Sequence, residues 1–315
     1  SKDMNQIHSE AIYNTTHLLN KFIQKYQHSN QENYVEQLID ELDSLHSEYV
    51  MGIQAEYQSE VLIWYRDLKV LWKAREGEEL ANYDDLEKII EEQGDEIALI
   101  MIGGVNYYTG QFFDLKRITK LVHKNGCVVG FDCAHGAGTV ELNLHDSGAD
   151  FAVWCTYKYL NSGPGSLSGL FVHEKHAHRK DLPRFAGWWN HNKETRFNMR
   201  QPFDVMSGAE GWQLSNPPIL SMAAIRASLD MFEKVGMDVL LEKSKKLTGF
   251  FEYLVNQIAS DSIKIMTPSN PNERGCQLSV QVANADKNLH KKLTENNIIT
   301  DWREPDVIRC APVPM

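Results

Sequence analysis

The sequence predicts an α/β fold with a central, mostly parallel sheet, a smaller C-terminal α+β domain and a helical N-terminal segment. Residues 127–131 and 151–155 are apolar runs without polar alternation, which is typical of strands buried on both faces of a parallel sheet. From Tyr83 onward, helical and strand patterns alternate, and this order favours right-handed crossovers. Near the end of the chain, several short strand patterns flank one helical pattern, which indicates the second domain.

These patterns divide the chain into three parts. Residues 1–72 form an atypical helical segment, in which Leu38, Leu42 and Leu45 are spaced for one helix face. Residues 73–235 form the large α/β domain, and residues 236–315 form the smaller domain, with a helix break at Gly236 between them. The irregular stretch 174–216 is rich in His, Arg, Trp and Asn, and a long irregular segment in a compact domain is usually functional.

The individual elements follow from periodicity and from the turn residues between them. Helices are predicted at 84–92, 115–124, 219–234, 237–258 and 286–297. Strands are predicted at 98–105, 127–131, 151–155, 169–173, 263–267, 277–282, 298–302 and 307–311.

Composition narrows the classes of function. The formal net charge is −11, with 42% hydrophobic and 24% charged residues, so a nucleic-acid or anionic-membrane partner is not expected. No apolar run reaches the ~20 residues of a membrane span, and the first residues show no signal-peptide pattern. The five cysteines form no CxxC pair, so we expect reduced thiols, no metal site and a cytoplasmic location.

Polar residues follow both of the apolar runs that predict the central strands. Asp132 and His135 come after the first run, and Tyr157 and Lys158 come after the second. Open α/β sheets bind ligands beyond the carboxyl ends of their strands, so these side chains are expected to converge. A lysine that can form an imine, opposite an acid that can protonate a pyridine nitrogen, is the arrangement that pyridoxal phosphate (PLP) requires. His135 is expected to stack on the face of the cofactor ring.

The same residues lie within motifs that resemble kynureninase, a fold-type I PLP-dependent hydrolase. The resemblance begins near Lys73, runs to the last residue and covers about three quarters of the chain. The motifs, in chain order, are FDCAH at 131–135, WCTYKYLNSGPG at 154–165, GWWNH at 187–191, GWQLSNPPIL at 211–220, RGCQL at 274–278 and IRCAPVP at 308–314.

The resemblance implies an activity: hydrolysis of L-kynurenine, or 3-hydroxykynurenine, to anthranilate, or 3-hydroxyanthranilate, and L-alanine. This reaction belongs to tryptophan catabolism, the kynurenine pathway and NAD biosynthesis. The resemblance also implies a homodimer whose sites draw on both chains. Lys158 would form the imine and move the α-proton, Asp132 would hold the pyridinium, and Tyr157 would touch the phosphate and relay a proton.

Four residues are expected to line the pocket by the same resemblance. His135 and Trp188 would line the cofactor ring and the aryl pocket. Asn216 would contact the cofactor and bond the aryl ketone of the substrate. Arg309, from the smaller domain, would bind the substrate α-carboxylate in a bidentate fork.

The sequence departs from the family in its N-terminal part. The Thr-Val-Asn and Phe-Pro-Ser-Asp runs, which grip the cofactor phosphate in kynureninases, are absent, and 14–19 matches the first only weakly. Gly103 also stands where the family has a serine. Two alternatives stay open. The missing motifs favour a kynureninase-like scaffold with weakened or lost cofactor binding, and a β-eliminating or desulfurase-type lyase would share the same fold and lysine.

Overall fold

A computed structural model describes residues 72, 74, 75, 77–198 and 203–315, which fall within the unit Leu68–Met315. The helices of this part are α1 (Tyr83–Gln93), α2 (Leu115–Lys124), α3 (Leu144–Ser147), α4 (Ile219–Val235), α5 (Met237–Gln257) and α6 (Lys287–Glu295). The strands are β1 (Leu99–Gly103), β2 (Val128–Asp132), β3 (Phe151–Cys155), β4 (Ser168–Val172), β5 (Ile263–Ile265), β6 (Leu278–Val282), β7 (Asp301–Arg303) and β8 (Val307–Cys310). The helices predicted within 1–71, and the run at 14–19, lie outside the described residues.

The first sheet is mixed and mostly parallel, as predicted. Its strand order is β1-β2-β3-β4, with parallel pairing of β1 with β2 and of β2 with β3, and antiparallel pairing of β3 with β4. Strand β2 therefore lies between two parallel neighbours. Its last residue, Asp132, pairs with Gly103 on one side and with Val153 on the other. This register places the acid at the carboxyl edge of the sheet, between two other strands.

One face of this sheet carries the main hydrophobic core. Ile100, Val129, Phe131 and Ala152 point to that face and are fully buried. Apolar residues of α1 and α2 complete the same cluster, namely Leu86, Ile90, Ile118 and Val122. Burial of these side chains provides the main stabilisation of the sheet, at roughly 25 cal/mol for each Å² of apolar surface removed from water.

The expectation that the strands are buried on both faces is wrong for the described part of the chain. On the second face, Leu99 is 45% exposed, and Met101, Val128 and Leu170 are each 40% exposed. The physical reason is that α1 and α2 lie against the opposite face. The apolar pattern identified the strands correctly but did not show which face the described helices cover.

The second sheet belongs to the C-terminal part of the chain and is antiparallel, with the order β5-β6-β8-β7. Helix α5 leads into it from Gly236, whose φ of 84° breaks the chain between α4 and α5, as predicted. The next-to-last predicted strand is displaced: β7 comprises Asp301–Arg303, not 298–302. Residues 298–300 precede the strand because the β7–β8 pairing begins at Asp301.

A loop after β1 joins the two sheets. The Thr109 carbonyl accepts a hydrogen bond from Thr267 Oγ1 at 2.6 Å, and the Tyr107 carbonyl accepts one from Gln277 Nε2 at 3.0 Å. Ser279 Oγ donates to the Tyr108 carbonyl. Residues in and beside the second sheet therefore hold the loop that follows strand β1 of the first sheet. In the part of the chain described here, no helix is both long and apolar enough to cross a membrane.

Candidate functional site

The carboxyl edge of β2 positions Asp132 and the turn that carries His135. Asp132 Oδ1 accepts a hydrogen bond from the Ala134 backbone N–H at 2.9 Å, and the Asp132 carbonyl accepts one from the Gly104 N–H at 2.8 Å. A carboxylate that bonds the N–H two residues on forms an Asx-turn, which fixes the chain direction after the strand. The carboxylate itself is exposed at this edge. It therefore remains accessible to a ligand at the sheet edge.

Lys158 and His135 meet across 23 residues of sequence. The distance from Lys158 Nζ to His135 Nε2 is 3.1 Å. Burial lowers the pKa of His135 to about 4, and the positive charges of Lys158 and Arg309 add to this effect. The imidazole is therefore neutral at pH 7, and Nε2 is free to accept the hydrogen bond from the lysine. Tyr159 packs its ring edgewise against His135, at 5.9 Å between centroids, and burial raises its pKa.

Buried hydroxyl groups close the loop that carries Lys158. Thr156 Oγ1 donates to the Leu167 carbonyl at 2.5 Å and accepts from Ser162 Oγ at 2.8 Å. Thr156 is 1% exposed and Ser162 is 4% exposed. Helix α4 holds the same loop from outside, because Ser221 Oγ donates to the Gly165 carbonyl at 3.1 Å. The lysine thus sits on a loop whose two ends and outer side are all hydrogen-bonded.

Arg309 reaches this region from β8. Its Nε donates to Asp301 Oδ2 at 2.9 Å, and its Nη2 donates to the same oxygen. Its Nη1 donates to the Tyr107 carbonyl at 2.6 Å. The arginine side chain is only 12% exposed, and its charge contributes to the lowered pKa of His135. Arg309 therefore belongs to the same electrostatic environment as Lys158.

The two segments that carry Trp188 and Asn216 lie side by side. The Trp189 N–H donates to the Leu214 carbonyl at 3.2 Å, and Gly187 packs so closely on Leu214 that a Cβ would lie 2.1 Å from its carbonyl oxygen. Trp188 is 51% exposed, and its ring lies 5.5 Å from that of Phe197 at an angle of 33°. Asn216 is exposed and accepts a hydrogen bond from Ser215 Oγ at 3.2 Å.

The structure thus brings together Asp132, His135, Lys158 and Arg309 from two sheets. Tyr157 lies beside them but is 52% exposed, and the neighbouring Cys155 side chain raises its pKa. Trp188 pairs with the ring of Phe197, and Asn216 accepts a hydrogen bond from Ser215; among the described residues, no hydrogen bond joins either of them to Lys158. The roles predicted for all seven residues remain predictions.

Sequence reasoning missed three residues of this site: Tyr159, Asp301 and Arg303. Arg303 Nη2 lies 3.0 Å from Asp301 Oδ2, so both Asp301 and Arg303 adjoin Arg309. One signal for Asp301 and Arg303 was present. The run Arg303-Glu304-Pro305-Asp306 separates two strand patterns and indicates a hairpin, which would place Asp301 opposite Arg309.

Comparisons with known proteins agree with the motifs of the sequence. Residues 240–315 match the family described as the kynureninase C-terminal domain. The kynureninase of Myxococcus xanthus (strain DK1622) is 55% identical over 243 residues, which cover 77% of this chain and 57% of that protein. The kynureninase of Flavobacterium psychrophilum is 53% identical over 246 residues, which cover 77% of this chain and 58% of that protein. The chain therefore spans less than two thirds of the length of these curated relatives.

Solved structures are similar in fold. A C-DES variant, solved with glycine covalently linked to its PLP cofactor, superimposes with a TM-score of 0.63 at 18% identity. The match covers 75% of this chain and 60% of that one. At this identity the likeness shows the fold alone, which is the α/β fold of fold-type I enzymes, as predicted. Over about three quarters of its length, the chain is therefore related to the kynureninases.

Proposed function

We propose that this chain carries the lysine-bearing part of a PLP-dependent kynureninase. The reaction would hydrolyse L-kynurenine or 3-hydroxykynurenine to the corresponding anthranilate and L-alanine. One observation carries the proposal: Lys158 Nζ lies 3.1 Å from the neutral His135, at the sheet edge where Asp132 ends β2. Identity of 55% to a kynureninase over 243 residues supports the substrate class.

The residues present fit the ring end of PLP. Lys158 offers a primary amine, and Asp132 offers an exposed carboxylate at the next strand end. His135 Nδ1 is buried and has no hydrogen-bond partner among the described residues, and a buried donor without a partner is costly. A polar ligand at this edge would relieve that cost. Lys158 would hold the cofactor covalently, Asp132 would face its pyridine nitrogen, and Tyr157 would contact its phosphate.

When bound, PLP supplies an electron sink for carbanion chemistry. The residues of the chain supply proton movement and substrate binding. Lys158 Nζ removes the proton from the substrate α-carbon, and His135 Nε2, which is neutral, accepts the hydrogen bond of the protonated amine. The Tyr157 hydroxyl relays a proton to the departing carbon.

Substrate binding is assigned to residues around this centre. Arg309 holds the α-carboxylate, for which a guanidinium offers a planar fork of donors. Trp188 and His135 provide aromatic surface for the aryl group, and Asn216 donates to the aryl ketone. Both Trp188 and Asn216 are exposed in the described part of one chain, which leaves them accessible to a second chain.

A homodimer is part of the proposal. Trp188 is 51%, Phe197 74%, Ile219 79% and Leu220 88% exposed, and large apolar side chains of this kind mark interaction surfaces. We also propose a cytoplasmic location. All five cysteines are free thiols, which suits a reducing compartment.

The desulfurase-type alternative is less well supported. It requires a nucleophilic cysteine on an accessible loop, whereas Cys127, Cys133 and Cys276 are buried. Cys155 and Cys310 are half-buried and lie in strands β3 and β8. Burial raises the pKa of Cys310 to about 11, which keeps it a thiol at pH 7.

The decisive experiment is an absorption spectrum with added PLP, before and after borohydride, for the parent chain and for Lys158→Ala. We expect a visible band in the parent that borohydride removes, with PLP fixed to the peptide containing Lys158. We expect no such fixation in Lys158→Ala. Release of anthranilate from L-kynurenine by the parent alone would complete the test.

The control is Lys88→Ala, which removes an exposed lysine of α1 that lies 3.9 Å from Glu92 rather than beside His135. This variant should still fix PLP. A parent chain that shows no band at saturating PLP would refute the proposal and favour the scaffold alternative. Fixation of PLP without anthranilate release would refute the substrate assignment alone.

A further inference from the structure

Arg309 and Asp301 face each other across the hairpin formed by β7 and β8. The two residues are directly paired in the antiparallel register of these strands. Arg309 Nε donates to Asp301 Oδ2 at 2.9 Å, and Arg309 Nη2 donates to the same oxygen. The Tyr107 carbonyl accepts a third bond, from Arg309 Nη1, at 2.6 Å. The guanidinium is therefore held from two directions, by its own hairpin and by the loop after β1.

These contacts leave part of the guanidinium available. An arginine side chain carries five N–H groups, and the three contacts occupy one on Nε, one on Nη1 and one on Nη2. One N–H remains on each of the two terminal nitrogens. That pair of nitrogens forms the fork that binds a carboxylate with two parallel hydrogen bonds.

The local charge also favours an additional anion. Arg303 Nη2 lies 3.0 Å from Asp301 Oδ2, so two guanidinium groups share one carboxylate. The charges of both arginines still act on His135, whose pKa they help to lower. Asp301 therefore orients Arg309 without neutralising the positive charge of the region.

We propose that Asp301 is a positioning residue, which holds Arg309 so that its free fork binds the α-carboxylate of the amino-acid substrate. This inference rests on the proposed function, because it assumes that Arg309 binds that carboxylate. Asp301 touches neither substrate nor cofactor and acts only through the arginine. Its removal should therefore weaken carboxylate recognition and leave the chemical step nearly unchanged.

The test uses two small ligands that differ only by a carboxylate, L-alanine and ethylamine, titrated into the PLP-loaded chain by absorption. In Asp301→Asn we expect the Kd of L-alanine to rise about tenfold, while the Kd of ethylamine stays within about twofold of the parent value. For kynurenine turnover, KM should rise similarly and kcat should change little, the pattern of a lost binding contact. Asp301→Glu should restore part of the affinity.

Asp306→Asn is the matched control, because Asp306 lies in the same hairpin and contacts Gln281 at 3.2 Å instead of Arg309. It should leave both Kd values unchanged. If Asp301→Asn weakens the binding of L-alanine and ethylamine equally, Asp301 has a merely structural role and the inference is overturned. Tighter binding of L-alanine would also overturn it, because Asp301 would then compete with the substrate carboxylate for Arg309. Unchanged L-alanine binding would also overturn the inference. A parent chain that fixes no PLP would overturn both proposals. If the parent fixes PLP and binds L-alanine, a negative result for Asp301→Asn overturns only the role of Asp301.

Because Asp301→Asn is nearly isosteric, its fold can be compared with the parent by thermal unfolding. If it does not fold, Arg309→Lys provides the second measurement, since lysine keeps the charge but has no fork. It should lose affinity for L-alanine and not for ethylamine. Retention of full L-alanine affinity by Arg309→Lys would contradict the fork.

Discussion

The amine of Lys158 donates a hydrogen bond to His135 Nε2 over 3.1 Å. The two residues follow different strands, β2 and β3, which are parallel neighbours. Parallel neighbours end at the same edge of a sheet, and this topology brings the two side chains together. The imidazole accepts this bond only while it is neutral, so the contact depends on pH.

His135 should destabilise the fold in acid. Its pKa falls from the ordinary 6.5 to about 4, mainly through burial. Between those values the unfolded chain binds a proton that the folded chain does not, so stability decreases as pH falls from 6.5 to 4. We expect ~1–2 kcal/mol for this loss, after allowance for solvent screening. Urea unfolding of His135→Gln across this range should show a smaller loss than the parent.

His145→Gln is a control for which the expected change of stability with pH is the opposite. Hydrogen bonds to Asp146 and Glu174 raise the pKa of the exposed His145. Its favourable contribution is complete below pH 6.5 and disappears as pH rises through the raised pKa. His145→Gln should therefore lose stability in acid relative to the parent. The same pH dependence in both variants would contradict the assignment for His135.

Asp150 should be important for stability. Its side chain is 6% exposed and accepts hydrogen bonds from the Val129 N–H at 2.7 Å and from Lys175 Nζ at 2.6 Å. His123 Nε2 and His176 Nε2 also lie 2.8 and 2.7 Å from its oxygens. Removal of one partner from a buried charge network costs roughly 3–5 kcal/mol, so Asp150→Asn should lower the free energy of unfolding by about that amount at pH 7.

The same carboxylate predicts acid sensitivity. Burial alone would raise the pKa of Asp150, but the bonds from Lys175, Val129, His123 and His176 hold it well below its ordinary 3.8. Its contribution is present above pH 3.8 and is lost as pH falls below that value. Asp146→Asn, at an exposed neighbouring site, should unfold at nearly the parent urea concentration at pH 7. Similar midpoints for the two variants would disprove the role of Asp150.

The hydroxyl of Thr156 should hold the loop that carries Lys158. Thr156→Val keeps the side-chain shape but leaves the Leu167 carbonyl and the Ser162 hydroxyl without this partner, which costs about 1–3 kcal/mol. We also expect slower fixation of PLP by borohydride. Thr119→Val is the matched control: Thr119 is 2% exposed and its hydroxyl has no partner among the described residues. Thr119→Val should be at least as stable as the parent. An equal loss of unfolding free energy in Thr156→Val and Thr119→Val would contradict the prediction.

Gly249 offers a stabilising substitution. It lies inside α5, and a Cβ built there would meet no atom within 4 Å. Gly249→Ala should raise the free energy of unfolding by ~0.5–1 kcal/mol, because alanine loses less backbone entropy in a helix. Gly236→Ala should instead cost about 1–3 kcal/mol, because Gly236 has a φ of 84° that a side chain disfavours. Calorimetric unfolding of the two variants tests whether the first change stabilises the fold and the second destabilises it.

The main elements of the fold could be predicted from the sequence because their patterns are local. The prediction of helix 115–124 is confirmed at Leu115–Lys124, and strand 151–155 is confirmed at Phe151–Cys155. The strand predicted at 127–131 is shifted to Val128–Asp132, because pairing with β1 and β3 extends it through the acid. Strand ends depend on partners that a single segment does not contain, so boundaries are less predictable than element types.

The sequence by itself determined the mixed α/β architecture, the order of the strands along the chain and the motifs shared with kynureninases. These properties reside in periodicity and residue identity, which are local. The sequence also predicted that Lys158 and His135 converge at the sheet edge, but only the tertiary structure decided that Lys158 Nζ contacts His135 Nε2 and that Asp301 holds Arg309. The tertiary structure also decided that one sheet face carries exposed Leu99 and Met101. Each of these depends on which strands are neighbours and in which register, and pairing between distant segments is not encoded in any one of them.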